Sequence, residues 1–412
     1  MTAFYLFAAL LLLQSLLSLR GGFRYLSHFR RELSRTPGTY APRASLLVPC
    51  RGLDENLGDN LAALFLQDYP DYEIIFAADS AEDPALEVAG DVAARLTQER
   101  PAVRRVRAIV AGRASGRGQK VHNLVAAVRA ADPASEVLTF VDTDARPSGD
   151  WLRSLVAPLA DERTGAATGY RWFVPAGGGL ASHLRSVWNA SIASALGGDE
   201  ARNFCWGGST AIRRQTFERL NVLDDWRGAL SDDFALTRAV RRARLAIKFV
   251  PRCLTASHGD CGAAELFEFT TRQLKITRVY APHLWRVVLV SNLLFTFVFF
   301  GGLPLIIARA AAGLSFALPL ALLAAIFVAG SAKAALRLRA VSPALEVDAP
   351  RALDRLAHLA LWPLTSALFA WNALAAAMSR RITWRGIGYE LKSPNETVII
   401  SRASAAESSE AK

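Results

Sequence analysis

The sequence predicts an α/β domain held to a membrane by helices at both ends. Three observations carry that prediction: strand-like and helix-like stretches alternate between residues 44 and 130, long apolar runs sit near the two ends, and an apolar stretch at 138–144 closes on two carboxylates. Alternating β and α elements argue for a parallel sheet, whose ligands gather at the carboxyl ends of the strands.

The chain has 412 residues, 52% of them hydrophobic, and a mean hydropathy of +0.20. Residues 3–19, 287–308, 314–332 and 357–378 are almost wholly apolar. Each is near the ~20 residues that cross ~30 Å of hydrocarbon. Arg20, Arg24, Arg30 and Arg31 follow the first run, which shows no small-residue cleavage site. The positive-inside rule then places the N-terminus outside and residues 20–286 in the cytoplasm. The expected divisions are an anchor at 1–20, a basic linker at 21–42, a catalytic domain at 43–262, an interfacial helix at 263–286, a membrane region at 287–378 and a basic tail at 379–412 with a disordered end at 403–412. Four full spans would return the tail to the outside. One run is therefore expected to be re-entrant or interfacial, either the one broken by Gly301, Gly302 and Pro304 or the one holding Trp362 and Pro363.

A net charge of +11 would suit nucleic acid, but the arginines cluster beside apolar runs, where anionic lipid headgroups account for them. The expected partner is a membrane surface, with no nucleic acid. Cys50, Cys205, Cys253 and Cys261 form no CxxC pair and no zinc spacing, so reduced, unreactive thiols are expected.

In order, Ala44 to Pro49 reads as a first strand, closed by Cys50-Arg51-Gly52, and a helix follows to about Gln67. Glu73 to Ala78 reads as a second strand that ends at Asp79, with Asp83-Pro84 opening the next helix. Arg104 to Ala111 is a third strand. It leads into the glycine-rich basic loop Gly112–Lys120, whose backbone N–H groups near a helix start suit phosphate without matching a P-loop spacing. Arg51, Asp79 and Asp142 would share one rim, although Asp79 as a helix cap remains open. Along a strand, alternation would point Asp142 and Asp144 to one side, where two hard oxygens can share a divalent cation. Gly165 to Phe173 is a further strand. Cys205-Trp206-Gly207-Gly208-Ser209 reads either as a tight turn or as a loop allowing close backbone approach. Phe234 to Arg244 reads as a helix opened by Asp232-Asp233. Phe267 to Trp285 mixes aromatic, aliphatic and basic residues as a helix at the headgroup layer does, and a helix closing the domain is the alternative.

Leu46-Leu47-Val48-Pro49, Gly52-Leu53-Asp54-Glu55-Asn56-Leu57, Gln67-Asp68-Tyr69-Pro70, Asp83-Pro84-Ala85, Gln119-Lys120-Val121-His122-Asn123-Leu124 and Val141-Asp142-Thr143-Asp144 together resemble the family 2 glycosyltransferases. More narrowly, the chain resembles their ceramide glucosyltransferase-like branch, with its bacterial membrane lipid glycosyltransferases. The likeness spans about residues 43–280, plus a tail motif near 382–391.

The resemblance implies a GT-A fold (a Rossmann-like mixed sheet), a UDP-sugar donor, a divalent cation (Mn or Mg) and inversion at the anomeric carbon. It implies that Pro49, Arg51, Asp79, Lys120, Asn123 and Asp142 bind the nucleotide sugar and that Asp144 holds the metal beside Asp142. The loop Trp206-Gly207-Gly208 would border the acceptor. The family's Glu-Asp pair is here Asp232-Asp233, with Asp233 the expected general base. Its (Gln/Arg)-x-x-Arg-Trp motif is matched only by Arg272-Gln273-Leu274-Lys275-Ile276, where Lys275 keeps the charge and Ile276 replaces the aromatic ring.

The function expected from this is transfer of a hexose from a UDP-sugar to the hydroxyl of a ceramide-like lipid, at a bacterial-type inner membrane with the catalytic domain cytoplasmic. A processive polysaccharide synthase is the alternative, as is transfer to a polyprenyl phosphate. A synthase would need a wider helix bundle and an intact Gln-x-x-Arg-Trp. A transporter would place ionisable residues inside its spans, and these runs have almost none.

Overall fold

The computed structural model describes residues 1–99, 102–345 and 348–402, so the end expected to be disordered lies outside the described residues. The chain forms two compact units. Among the described residues, one gathers 1–30, 174–194 and 259–379, and the other gathers 31–173, 195–258 and 380–402.

The second unit is built on a seven-stranded sheet. Its strands are β1 (Ala44–Pro49), β2 (Tyr72–Ala78), β3 (Val103–Val110), β4 (Val137–Phe140), β5 (Thr164–Val174), β6 (Thr210–Arg213) and β7 (Ala246–His258), in the order β3-β2-β1-β4-β6-β5-β7. β1 pairs in parallel with β2 and β4, and β2 with β3, whereas β6 runs antiparallel to both β4 and β5. This is the mixed sheet expected. Its central strands are buried on both faces, which is why β1 and β2 read as continuous apolar runs rather than as alternating ones. The parallel half brings the carboxyl ends of β1, β2, β3 and β4 to one rim.

The helices Leu57–Phe65, Pro84–Leu96 and Gln119–Ala130 follow β1, β2 and β3. Asp83 caps the second by accepting from Ala85 N–H at 3.0 Å, with Pro84 in its first turn. Leu124, Val125 and Val128 pack beneath the sheet with Phe140, Phe217 and Trp226 in one core.

The same unit contains the tail. Residues 381–402, read from sequence as a basic tail with a motif near 382–391, form a three-stranded antiparallel sheet: β8 (Arg381–Trp384), β9 (Ile387–Ser393) and β10 (Glu396–Arg402). β8 and β9 are joined by Arg385 and Gly386, with φ of +47° and +73°. A two-residue hairpin loop with both φ positive is the type I′ arrangement.

The first unit is helical. Thr2–Leu33, Pro282–Ala311 and Ala317–Leu345 are each long and apolar enough to cross a membrane. They leave Leu17, Val287, Phe297 and Ile307 exposed, as lipid-facing helices do. Of the two runs suspected of not crossing, the one with Gly301, Gly302 and Pro304 lies inside an unbroken helix. The other is interrupted: Ala352–Ala360 and Trp362–Met378 meet at a 60° bend. The helix expected over 263–286 is shorter: Ala263–Tyr280 ends at Ala281, and residues 282–286 belong instead to the long helix that Pro282 opens. Trp188, on the helix Leu180–Ala193, stacks on Phe369 at 4.8 Å inside this unit.

Candidate active site

The strand-end carboxylates occupy the rim, but not as strand residues. β4 stops at Phe140, and Ala145 N–H donates to Asp142 C=O at 3.2 Å, so Asp142 to Ala145 form a turn. That turn brings both carboxylates to one guanidinium: Arg171 on β5 lies 3.0 Å from Asp144 Oδ2 and 3.9 Å from Asp142 Oδ2. Arg171 also lies over the Trp206 ring at 5.0 Å and the Phe173 ring at 5.4 Å. The other oxygen of Asp142 takes Lys120 Nζ at 2.6 Å, and Lys120 reaches on to Asp232 Oδ1 at 3.4 Å. One lysine thus joins the DxD turn to the acidic pair that opens the helix Asp232–Arg242.

Three cations here face five carboxylates: Lys120, Arg171 and Arg385 against Asp54, Asp142, Asp144, Asp232 and Asp233. The imbalance shows in their protonation. Burial, reinforced by Asp233 and Asp142 and opposed by Lys120, pushes Asp232 up to about 7. Burial works against the charge on Lys120 too, but Asp142, Asp232 and Asp233 outweigh it and raise its pKa. Asp144 resists burial and stays below its ordinary range because Arg171, Arg385 and Lys120 surround it. Asp233 differs from its neighbour. Its Oδ1 accepts from Phe234 N–H at 2.7 Å and from the Ser231 hydroxyl, which fixes the carboxylate at the helix start.

The glycine loop fits this constellation tightly. A Cβ on Gly207 would fall on Asp232 Oδ2 and 2.7 Å from Lys120 Nζ, and one on Gly208 would run into the Trp206 indole. Trp206 is held by its backbone N–H, which donates to Thr168 Oγ1 at 3.0 Å, and its ring packs on Tyr170 at 5.6 Å.

The nucleotide side divides. At the end of β1, beyond Pro49, Arg51 pairs with Asp79 at the end of β2, so Asp79 is not the helix cap; Asp83 is. Asn123 is buried, and its amide group donates to Cys50 C=O and Ala77 C=O at 3.1 Å each. It ties two strand ends together, with its own oxygen taken by Gln119 at 2.8 Å. Arg272, Gln273 and Lys275 lie on the helix Ala263–Tyr280 and belong to the helical unit. The thiols of Cys50 and Cys205 are buried and pushed up to about 12, in keeping with inert cysteines.

Several site residues escape sequence reasoning. Arg171 sits inside a strand pattern, and Asp54 looks like one more polar residue at a helix start. Arg385 follows the membrane region by only a few residues, yet its guanidinium donates to both Asp54 oxygens, at 2.6 and 2.9 Å. The tail motif near 382–391 is the sequence signal that points there.

Among the described residues, no group of three or more His, Cys, Asp or Glu side chains converges as a metal cage. The donor set nevertheless fits a divalent cation that takes its other ligands from a diphosphate and water, as magnesium sites do. Asp144 Oδ1 is buried with no hydrogen-bond partner among the described residues, and the local excess of carboxylates supplies the charge.

Comparison with known proteins places the chain. The model of glycosyl transferase family 21 matches residues 9–397. Ceramide glucosyltransferase 1 of Caenorhabditis elegans is 23% identical over 264 residues, 63% of this chain and 55% of the relative, so the chain matches about half of that relative's length. A mannosyltransferase from Pyrobaculum calidifontis, solved with GDP-Man and Mn2+, is 19% identical, with a TM-score of 0.45 over 90% of this chain and 98% of that one. Glucosyl-3-phosphoglycerate synthase from Mycobacterium tuberculosis, solved with Mn2+ and UDP-glucose, is 14% identical, with a TM-score of 0.36 over 57% of this chain and 78% of that one.

Proposed function

This chain belongs to glycosyl transferase family 21, and from that premise we propose that it moves one hexose from a UDP-sugar to the hydroxyl of a ceramide-like membrane lipid. The observation that carries the reading is the lysine-bridged pair of acidic sites: Asp142 and Asp144 on one side, Asp232 and Asp233 on the other, joined through Lys120. A glycosyl transfer needs both a place for the diphosphate and a base for the acceptor, and these two sites supply one each.

In the proposed reaction the acceptor oxygen bonds to the anomeric carbon as the bond from that carbon to the phosphate oxygen breaks, with inversion. The acceptor proton passes to Asp233, whose Oδ1 is fixed by two donors while the rest of the carboxylate is left to the acceptor. Lys120 and Arg171 hold the DxD carboxylates in place. A divalent cation on Asp142 and Asp144, when bound, neutralises charge on the departing UDP. Pro49, Arg51 and Asp79 line the nucleoside side, Asn123 keeps their backbone in place, and Trp206, Gly207 and Gly208 border the acceptor. Arg272, Gln273 and Lys275 are proposed to serve the acceptor and leaving-group side.

The proposed membrane arrangement has the N-terminus outside and the sheet unit in the cytoplasm. It is supported by the tail: 31–173, 195–258 and 380–402 form one compact unit, and a bilayer cannot pass through a hydrogen-bonded unit. An even number of crossings must then lie between 258 and 380. Pro282–Ala311 and Ala317–Leu345 are those two, and the bent pair Ala352–Ala360 with Trp362–Met378 does not cross.

The reading is tested with the full chain in detergent, measuring nucleotide release from UDP-glucose, UDP-galactose and UDP-N-acetylglucosamine with ceramide and with a mixed lipid extract, with and without chelator. Lipid-dependent, chelator-sensitive UDP release supports it. Polymer formation without glycolipid would replace it with the synthase reading.

A further inference from the structure

The residue linking the tail to the DxD turn is Arg385. Its Nη2 donates to Asp54 Oδ1 and Oδ2 at 2.6 and 2.9 Å, and Asp54 Oδ2 in turn accepts from Thr143 Oγ1, the middle residue of the DxD, at 2.5 Å. Arg385 Nη1 donates to Arg51 C=O at 2.6 Å, and Arg51 Nε donates back to Arg385 C=O at 3.0 Å, while the Arg51 guanidinium pairs with Asp79. A single turn of the tail therefore grips the ends of β1 and β2 and the loop after β4.

The backbone of that turn argues that the arginine is there for its side chain. Arg385 stands at a φ of +47°, the first position of a type I′ loop, where Asn, Asp or Gly fit without strain. A residue held at positive φ costs on the order of 1 kcal/mol or more and persists where surrounding structure demands it. Here the demand is a planar fork that places one nitrogen on the Asp54 carboxylate and the other on Arg51 C=O, a geometry the single nitrogen of lysine does not match. Two more tail contacts reach the phosphate-side helix: Gln119 N–H donates to the Tyr389 hydroxyl at 3.2 Å, and Arg402 donates to Gln119 Oε1 at 3.2 Å.

We propose that Arg385 is a positioning residue of the donor site, setting the DxD turn through Asp54 and Thr143, so that the segment after the last membrane helix is a working part of the diphosphate pocket. The proposal rests on the glycosyltransferase reading for its donor but not for its geometry. It is tested on the full chain with Arg385→Gln, Arg385→Lys, Asp54→Asn and the double variant Asp54→Asn/Arg385→Gln. Arg380→Ala, at an exposed tail residue whose guanidinium donates to Lys392 C=O, serves as the control.

Two readouts are taken: hydrogen exchange of the peptide covering 138–148, and donor KM against acceptor KM. In Arg385→Gln, exchange at 138–148 accelerates and donor KM rises about tenfold or more with acceptor KM unchanged, and the double variant is no worse than either single one. Arg385→Lys recovers only part of the loss, and Arg380→Ala changes neither readout. If exchange accelerates in the tail alone, with 138–148 and donor KM as in wild type, Arg385 merely anchors the tail and the proposal is overturned. Faster exchange at 138–148 in a protein that forms no glycolipid would leave the proposal standing and remove the proposed function instead.

Discussion

At the scale of single residues, the acidic pair divides its work by environment. Asp232 and Asp233 are neighbours in sequence, yet one is buried against Lys120 and pushed up to about 7, while the other is fixed by two donors at a helix start. The base assigned to Asp233 predicts that Asp233→Asn lowers kcat by about 100-fold or more while donor binding persists, which a single-turnover assay beside a UDP titration would check. Asp232 predicts a different behaviour. Its folded pKa lies above its ordinary 3.8, so the fold favours the protonated form, and that contribution is complete below about pH 4 and lost as pH rises through about 7. Thermal unfolding of the metal-free protein should therefore show wild type losing stability across that window relative to Asp232→Asn. Parallel pH profiles for the two proteins would contradict it.

At the scale of elements, the sequence was most readable where a local pattern had a local cause. β1, β2 and the helix opened by Asp83-Pro84 follow from apolar runs and capping chemistry, and the structure places them within a residue or two of expectation. The DxD was legible as a motif but not as geometry, because its carboxylates converge through a turn after β4 rather than by strand alternation. Arg171 was not legible, and Arg385 only as one residue of the tail motif, without its contact. Their partners lie 27 and 331 residues away, and no local period encodes such a contact. The loop after Cys205 left two readings open, and its packing favours the one that needs glycine. Gly207→Ala should force Lys120 and Asp232 apart and reduce activity by at least about tenfold with the fold retained, since a Cβ there meets the ion pair rather than backbone. Near-wild-type turnover with normal circular dichroism would show that the pair is free to move.

At the scale of the whole molecule, the proposed membrane arrangement takes the tail as its guide to what the sequence left undecided. Four apolar runs admitted two candidates for the one that does not cross, and the choice fell between a glycine-proline break and a tryptophan-proline break. The first is absorbed in a continuous helix, since a long helix with neighbours tolerates an interior proline. The second coincides with the 60° bend. Single cysteines at Arg380 and at Thr2 should therefore label from opposite sides of sealed inverted vesicles, with Arg380 accessible from the same side as Asp59 on the catalytic unit. Labelling of Arg380 and Thr2 from one side would mean that the bent pair crosses.

The account as a whole turns on lipid glycosylation by the acidic pair. The most direct test is mass spectrometry of the lipid fraction after incubating wild type and Asp233→Asn with ceramide, a UDP-hexose and manganese, with UDP binding measured on the same preparations. The account predicts a monohexosyl lipid from wild type and, from a variant that still binds UDP, almost none. A monohexosyl lipid formed equally by both proteins would contradict it.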